Sequence, residues 1–270
     1  MKQTHIRNFV FGVLVLPLGS SLAMGQYICS TSAATGNCGG YGDTEVTDNA
    51  GGNSNVQNDV WNPQTGWSQT LYTVSEGRWW VTAKMPSGYT GVISYPDTDI
   101  LFNNWGGGAN PTINSFSYIY SSWVDTVPNN SSTIVDVGYD MWFNDYGNEV
   151  MIQTDVINRS ACTQCMTVLA TNLSFGGSNG VPSNKWNLCR TGGAGSELVF
   201  QWVPPESTST NFGISSGSVD IYDMLKYLEN EGYLPSSNTI TAIQFGFEIG
   251  STGGTNENFY MDSFSLTASH

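Results

Sequence analysis

Two glutamates stand where side chains of this chain could do chemistry unaided. Glu149 opens the run Glu149-Val150-Met151-Ile152-Gln153, and Glu248 lies in Ala242-Ile243-Gln244-Phe245-Gly246-Phe247-Glu248-Ile249-Gly250. In a strand, alternate side chains share a face. Val150 and Ile152 then point into a core, and Glu149, Met151 and Gln153 share the other side. In the second run Ile243, Phe245, Phe247 and Ile249 point in, which leaves Gln244, Gly246 and Glu248 together. A third run, residues 135–143, sets Val135, Val137, Tyr139, Met141 and Phe143 against Asp136, Gly138, Asp140 and Trp142. The connection 144–148 is short and rich in Asn, Asp and Gly, so the runs on either side of it should form a hairpin. That places Asp140 and Glu149 on one face of adjacent strands, with Trp142 beside them. Paired carboxyls can supply a proton donor together with a nucleophile or base. The same alternation also describes a solvated face, although such a face usually carries more Lys, Thr and Ser.

Elimination narrows the chemistry. The chain has two histidines; His5 lies in the leader described below and His270 is the last residue. Ser-His-Asp and Cys-His hydrolases are thereby excluded, as are His-ligated metal sites. There is no Walker loop and no GxGxxG on a strand-to-helix turn. Gly106-Gly107-Gly108 runs into Ala-Asn-Pro and reads as a turn. No cofactor and no metal are expected. Cleavage of a glycosidic bond fits what remains. One carboxyl protonates the departing oxygen, and the other attacks the anomeric carbon or activates water to do so.

The elements that would hold these residues are strands. Short apolar-alternating runs recur at 78–85, 91–95, 115–124, 133–143, 149–156, 167–175, 197–203, 240–249 and 258–267, with turn signals between them. Many short strands at this spacing make an all-β sandwich or jelly roll. One segment has helical period: Ile221, Met224, Leu225 and Leu228, with Ser218 as N-cap and Gly232 as stop. There is no internal repeat and no linker-like tract, so one domain is expected over 24–270, with 24–55 as an irregular lead-in.

Residues 1–23 read as an export signal. Lys2 and Arg7 precede an apolar stretch from Phe9 to Leu18, and Ser21-Leu22-Ala23 offers a small-x-small cleavage site. The chain carries 8 basic and 22 acidic residues, a net charge of −14, and two of the basic ones lie in this leader. Such acidity argues against nucleic acid and anionic membranes as partners and suits a secreted, extracellular protein; a monomer is expected. Nine Trp, thirteen Tyr and twelve Phe suit half-buried strands, and some of them can stack on sugar rings. Of the five cysteines, Cys29 and Cys38 could close an N-terminal loop. Cys162 or Cys165 could pair with Cys189, or with each other.

These runs resemble glycoside hydrolase family 12, the endo-β-1,4-glucanases and xyloglucanases, over nearly all of the chain from about Asn55 to Leu266. Asp136-Val137-Gly138-Tyr139-Asp140-Met141-Trp142 resembles the family's D-V-a-Y-D-x-W strand. Glu149-Val150-Met151-Ile152 resembles its E-[IV]-M-I strand, and Gly246-Phe247-Glu248 its G-x-E strand. Asn58-Asp59-Val60-Trp61 is similar to N-N-x-W, Ser68-Gln69 to the S-Q that follows, and Val92-Ile93-Ser94-Tyr95-Pro96 to V-k-S-Y-p. The resemblance implies a two-sheet β-jelly roll with one packed helix and a concave cleft for β-glucan. It implies a retaining endo-acting mechanism on cellulose-like, mixed-linkage or xyloglucan chains. Glu149 would be the nucleophile, Glu248 the acid/base and Asp140 the tuner of the nucleophile. Trp61 would be a stacking platform, and Asn58, Gln69, Trp142, Met151, Gln153 and Gln244 would line the substrate. Gln153 stands where the family has Trp, Thr70 where it often has Cys, and Ile249-Gly250 where it reads p-f. These departures keep open a non-catalytic, lectin-like jelly roll that binds β-glucan without cutting it.

Overall fold

The computed structural model describes residues 26–32, 44–47, 54–60, 62–102, 110–159, 167–176, 184–191, 199–205 and 211–269. The leader, Trp61, Cys38, Cys162 and Cys165 lie outside them. In chain order the elements are β1 (Gln26–Ser32), β2 (Thr44–Thr47), β3 (Ser54–Gln57), β4 (Ser68–Ser75), β5 (Arg78–Lys84), β6 (Asp97–Leu101), β7 (Tyr118–Thr126), β8 (Thr133–Phe143), β9 (Asn148–Ile157), β10 (Thr167–Phe175), β11 (Asn184–Thr191), β12 (Val199–Val203), β13 (Asn211–Gly213), β14 (Ser216–Asp220), α1 (Ile221–Asn230), β15 (Ile240–Thr252) and β16 (Asn256–Ser269).

Two sheets form a sandwich. One runs β1-β4-β5-β16-β7-β14. The other runs β10-β11-β12-β9-β8-β15-β6-β3-β2, with β13 added beside β9. The inward rows meet between them. Phe245 stacks on Phe264 at 5.4 Å between ring centroids, and Tyr139 packs on Phe245 at 4.4 Å. Buried polar tips are paired across the sandwich: Tyr139 Oη donates to Ser121 Oγ at 2.8 Å, and Trp79 Nε1 to Thr98 Oγ1 at 2.7 Å. Each such ring contributes about 1.5–3 kcal/mol by leaving water, so the core alternation selects the strand register.

The hairpin forms as its sequence requires. Asn144, Asp145 and Tyr146 adopt φ of 52°, 55° and 69°, and the Gly147 amide donates to the Phe143 carbonyl at 2.8 Å. The left-handed turn fixes Trp142 opposite Glu149 and Asp140 opposite Met151. A bulge between Val137 and Gly138 then re-aims the far end of β9, and Thr154 Oγ1 donates to the Val137 carbonyl there.

Three local readings are corrected. The helix is capped by Asp220, whose Oδ1 accepts the Asp223 amide at 3.0 Å, because Ser218 is still paired within β14. Gly232 does end the helix, at φ +74°. Residues 91–95 make isolated bridges at Ser94 instead of a strand. Asp97–Leu101, which carries aspartates at alternate positions, is a full strand between β3 and β15.

Candidate active site

The outer face of the ten-stranded sheet holds a polar grid. One row crosses it as Asn55, Asp99, Gln244, Asp140, Met151 and Gln201, on β3, β6, β15, β8, β9 and β12. The next row is Gln57, Asp97, Gly246, Gly138 and Gln153. The two glycines face one another, so the middle of that row carries no side chain. Beyond it Glu248 stands opposite Asp136. On the other flank of the Asp140 row, Glu149 stands opposite Trp142.

This face points away from the core, yet Asp97, Asp99, Asp136, Asp140, Met151, Gln153, Gln201 and Gln244 are each at most 9 % exposed. A solvated face would not be buried to that degree, so the grid is the floor of a recess. Its side chains are held by one another. Trp142 Nε1 donates to Gln244 Oε1 at 2.9 Å, and Gln57 Nε2 to Asp99 Oδ2 at 2.6 Å. Gln201 Nε2 contacts Met151 Sδ at 3.3 Å. Tyr95 is buried beside these carboxyls, within reach of the charges of Asp140, Asp97 and Glu248, and donates to the Gly138 carbonyl at 2.9 Å.

The carboxyls fall into linked groups. Burial pushes Asp140 well above the usual aspartate range, and the charges of Glu149 and Glu248 push it further. The hydrogen bond it shares with Glu149 also raises it, so Asp140 holds the proton and Glu149 accepts as a carboxylate. Asp140 therefore feels both glutamates. At the other end Arg159 grips two carboxylates: its guanidinium lies 2.9 Å from Asp136 Oδ2 and 3.2 Å from Glu248 Oε2. Burial raises Glu248, while Arg159 and a hydrogen bond from Asp136 pull it back. Burial raises Asp136 more strongly, against the pull of Arg159. Asp99 is pushed up to about 7 by burial and by Asp59, against the hydrogen bond from Gln57. Asp97 is raised by burial and then by Asp99, Asp59 and Asp140.

The structure thus gathers Glu149, Glu248, Asp140, Trp142, Met151, Gln153 and Gln244 on one recessed face. Asn58 and Gln69 go elsewhere. Both are 0 % exposed, and Gln69 Nε2 donates to the Asn58 carbonyl and Oδ1 at 2.8 Å. Ser94 Oγ donates to Gln69 Oε1 at 2.7 Å. They brace the segment next to residue 61 and offer a ligand no surface. Sequence reasoning did not single out Asp97, Asp99 or Arg159, and it placed Asp136 on the outward row without giving it a role. The signal for Arg159 was available: in a chain this acidic, an arginine at the end of a carboxylate-bearing strand finds partners.

A two-sheet jelly roll with a carboxylate-floored recess defines the class of fold, and solved structures share it. The xyloglucanase domain of NopAA, a type three effector from Sinorhizobium fredii, in complex with cellobiose, is 24% identical; the match covers 80% of this chain and 94% of that one, with a TM-score of 0.65. The native family 12 xyloglucanase from Bacillus licheniformis is 17% identical, covering 89% and 100%, with a TM-score of 0.66. Trichoderma harzianum Endoglucanase 3 from family GH12 is 19% identical, covering 92% and 100%, with a TM-score of 0.65. The chain has the fold of the family 12 glycoside hydrolases. Neither a family model nor a curated protein matches the sequence.

Proposed function

We infer that this chain is a secreted glycoside hydrolase that cleaves β-1,4-glucan chains internally, with residues 1–23 as its export signal. The observation that carries this reading is the placement of Asp140 between two glutamates, within electrostatic reach of each, on a recessed floor. A protein that only binds glycan needs neither a proton donor nor a buried acid holding a carboxylate ionised. The fold likeness to structures described as xyloglucanases and an endoglucanase supports the same reading.

In the retaining course, Glu149 attacks the anomeric carbon. The bond to the departing glucan oxygen breaks, and Glu248 gives that oxygen its proton. Water then gives a proton to Glu248 and its oxygen to the anomeric carbon, which releases Glu149 from the glycosyl ester. Asp140 donates its hydrogen bond to Glu149 whenever Glu149 is a carboxylate. Trp142, Met151, Gln153 and Gln244 line the sugar path. Gln153 offers an amide where an aromatic would stack, which favours hydroxyl contacts at that position.

The stereochemical course has its own test. Glu149 lies one same-face step from the Asp140 row, and Glu248 lies two steps away in the other direction. A direct nucleophile needs carboxyls about 5–5.5 Å apart, whereas an inverting pair leaves about 6.5–9.5 Å for a water. Proton NMR of the first-formed reducing end decides between them. A β-anomer is expected, and an α-anomer would replace the nucleophile role of Glu149 by that of a base.

The activity itself is tested by reducing-end release from cellulose derivatives, mixed-linkage glucan and xyloglucan. New ends with a falling chain length are expected on at least one of them. Binding without new ends on all three would leave the lectin reading. Arg159→Gln should move the basic limb of the kcat/KM profile upward by about one pH unit or more, because the lost cation no longer holds Glu248 down and the acid keeps its proton longer. An unmoved limb would separate Arg159 from the acid.

A further inference from the structure

Two buried aspartates outside the recess have no role in this chemistry. Asp125 lies on β7 in one sheet and Asp155 on β9 in the other. Strict alternation from Gln153 would put Asp155 on the floor of the recess. The bulge at Thr154 turns it over instead, into the space between the sheets and opposite Val137. The two carboxyls meet at a pocket of about 430 Å³, lined also by Thr126, Asn129, Gly213 and Ser215. Asp125 is 3 % exposed, and both of its carboxyl oxygens lack a hydrogen-bond partner. Asp155 is 6 % exposed, and its Oδ1 lacks one too. Its carboxylate does accept the Val156 amide hydrogen. Among the described residues no ion pair reaches either aspartate.

The site is built around these oxygens. Gly213 pairs with Asp155 across β13 and β9. A Cβ on Gly213 would fall 2.3 Å from Asp155 Oδ1, so the missing side chain is the space that the carboxylate occupies. Two carboxylates that see each other's charge across a shared pocket cost stability unless something positive joins them. The polar side chains that line the pocket offer oxygen donors: two carboxylates, the Asn129 amide and the hydroxyls of Thr126 and Ser215. Oxygen-only, irregular donor sets that use backbone carbonyls suit calcium, whereas magnesium demands a tighter octahedron and softer metals prefer N or S.

We propose that Asp125 and Asp155, with Asn129 and neighbouring main-chain carbonyls, bind a calcium ion that ties the two sheets together at this end of the sandwich. The sequence-level expectation of no metal rested on histidine and cysteine ligands and did not weigh such a site. No three or more His, Cys, Asp and Glu side chains among the described residues are placed to hold a metal ion by themselves, so amide, carbonyl and water oxygens complete this one.

The test is thermal unfolding of the full chain after chelation, titrated with calcium chloride, beside isothermal calorimetry of the same sample. A ligand at 100-fold its Kd should raise Tm by about 5–10 °C. Magnesium chloride at the same ionic strength should do far less. Asp125→Asn with Asp155→Asn keeps the shapes and removes the charge, and should abolish the calcium response. Gly213→Ala should weaken it by crowding Asp155. Asp145→Asn, at an exposed carboxylate on the turn at the other end of β9, should leave the response intact and serves as the control for charge removal elsewhere. A wild-type chain with no heat of binding and no shift up to about 10 mM calcium overturns the proposal. So does a double variant that responds as the wild type does, which would make the effect a general one on an acidic surface.

Discussion

Glu149→Gln is expected to lose hydrolysis by about 10⁴-fold or more while melting within a few degrees of the wild type. The amide keeps the shape of the carboxyl, and Glu149 is only part-buried at the flank of the grid, so packing changes little. What disappears is the nucleophile, or the base in the inverting course. The partner residue gives a sharper readout. Asp140 is protonated because burial and two neighbouring glutamates push its proton on, and it spends that proton on Glu149. With a neutral amide in place of the Glu149 carboxylate, the repulsion from one neighbour is gone, and Asp140 becomes easier to ionise. Asp140→Asn, by contrast, retains a donor and should keep far more activity than Asp140→Ala, which leaves Glu149 without its hydrogen bond. Added azide tests which face Glu149 serves. The anion can enter the space of a truncated Glu149→Ala and attack the anomeric carbon there, forming an α-glycosyl azide as Glu248 protonates the departing glucan oxygen. Full activity in Glu149→Gln would end the assignment.

Much of this site was legible because alternation is a physical demand. Once Tyr139, Phe245 and Ile152 must reach one core, Asp140, Gln244 and Met151 must share the opposite face, and the register aligns them as one row. The Asn-Asp-Tyr-Gly turn fixed that register locally. Other parts obey no local rule. Asp97–Leu101 reads as polar because its alternate aspartates face the recess and leave few apolar residues to count. Asp155 reads as an outward residue until the Thr154 bulge inverts it, and the bulge depends on a tertiary hydrogen bond to Val137. Arg159 follows the last turn of β9, where periodicity carries no information, yet it sets the charge around Glu248. Asn58 and Gln69 were singled out by resemblance to a motif. The buried hydrogen bonds that Gln69 donates to Asn58 show that a residue matching such a motif can serve to brace the chain.

The buried carboxyls should also make stability fall as pH rises. Asp99 is held up to about 7, Asp155 to about 6 and Asp125 to about 8, each first by burial, against an ordinary aspartate value of 3.8. Asp97, Asp136 and Asp140 are raised as well. The sign follows from proton counting. Between about pH 4 and these raised values, the folded chain keeps protons that the unfolded chain has released, so each step up in pH favours unfolding. The contribution is complete below the unfolded pKa and is lost as pH climbs through the folded one. For Asp99 alone the gap corresponds to about 4 kcal/mol, at 1.36 kcal/mol per unit. With about 2–4 °C per kcal/mol for a domain of this size, several such groups should place Tm at pH 8 about 10 °C or more below Tm at pH 5. The measurement is calorimetry across that range in chelator, so that no calcium neutralises Asp125 and Asp155. Asp99→Asn keeps an oxygen for Gln57 and removes the titration, so its curve should be flatter between pH 5 and 8. A wild-type Tm that rises over this window would mean that these carboxyls are ionised and paired in the folded protein, and it would remove the basis for reading Asp140 as the proton donor to Glu149.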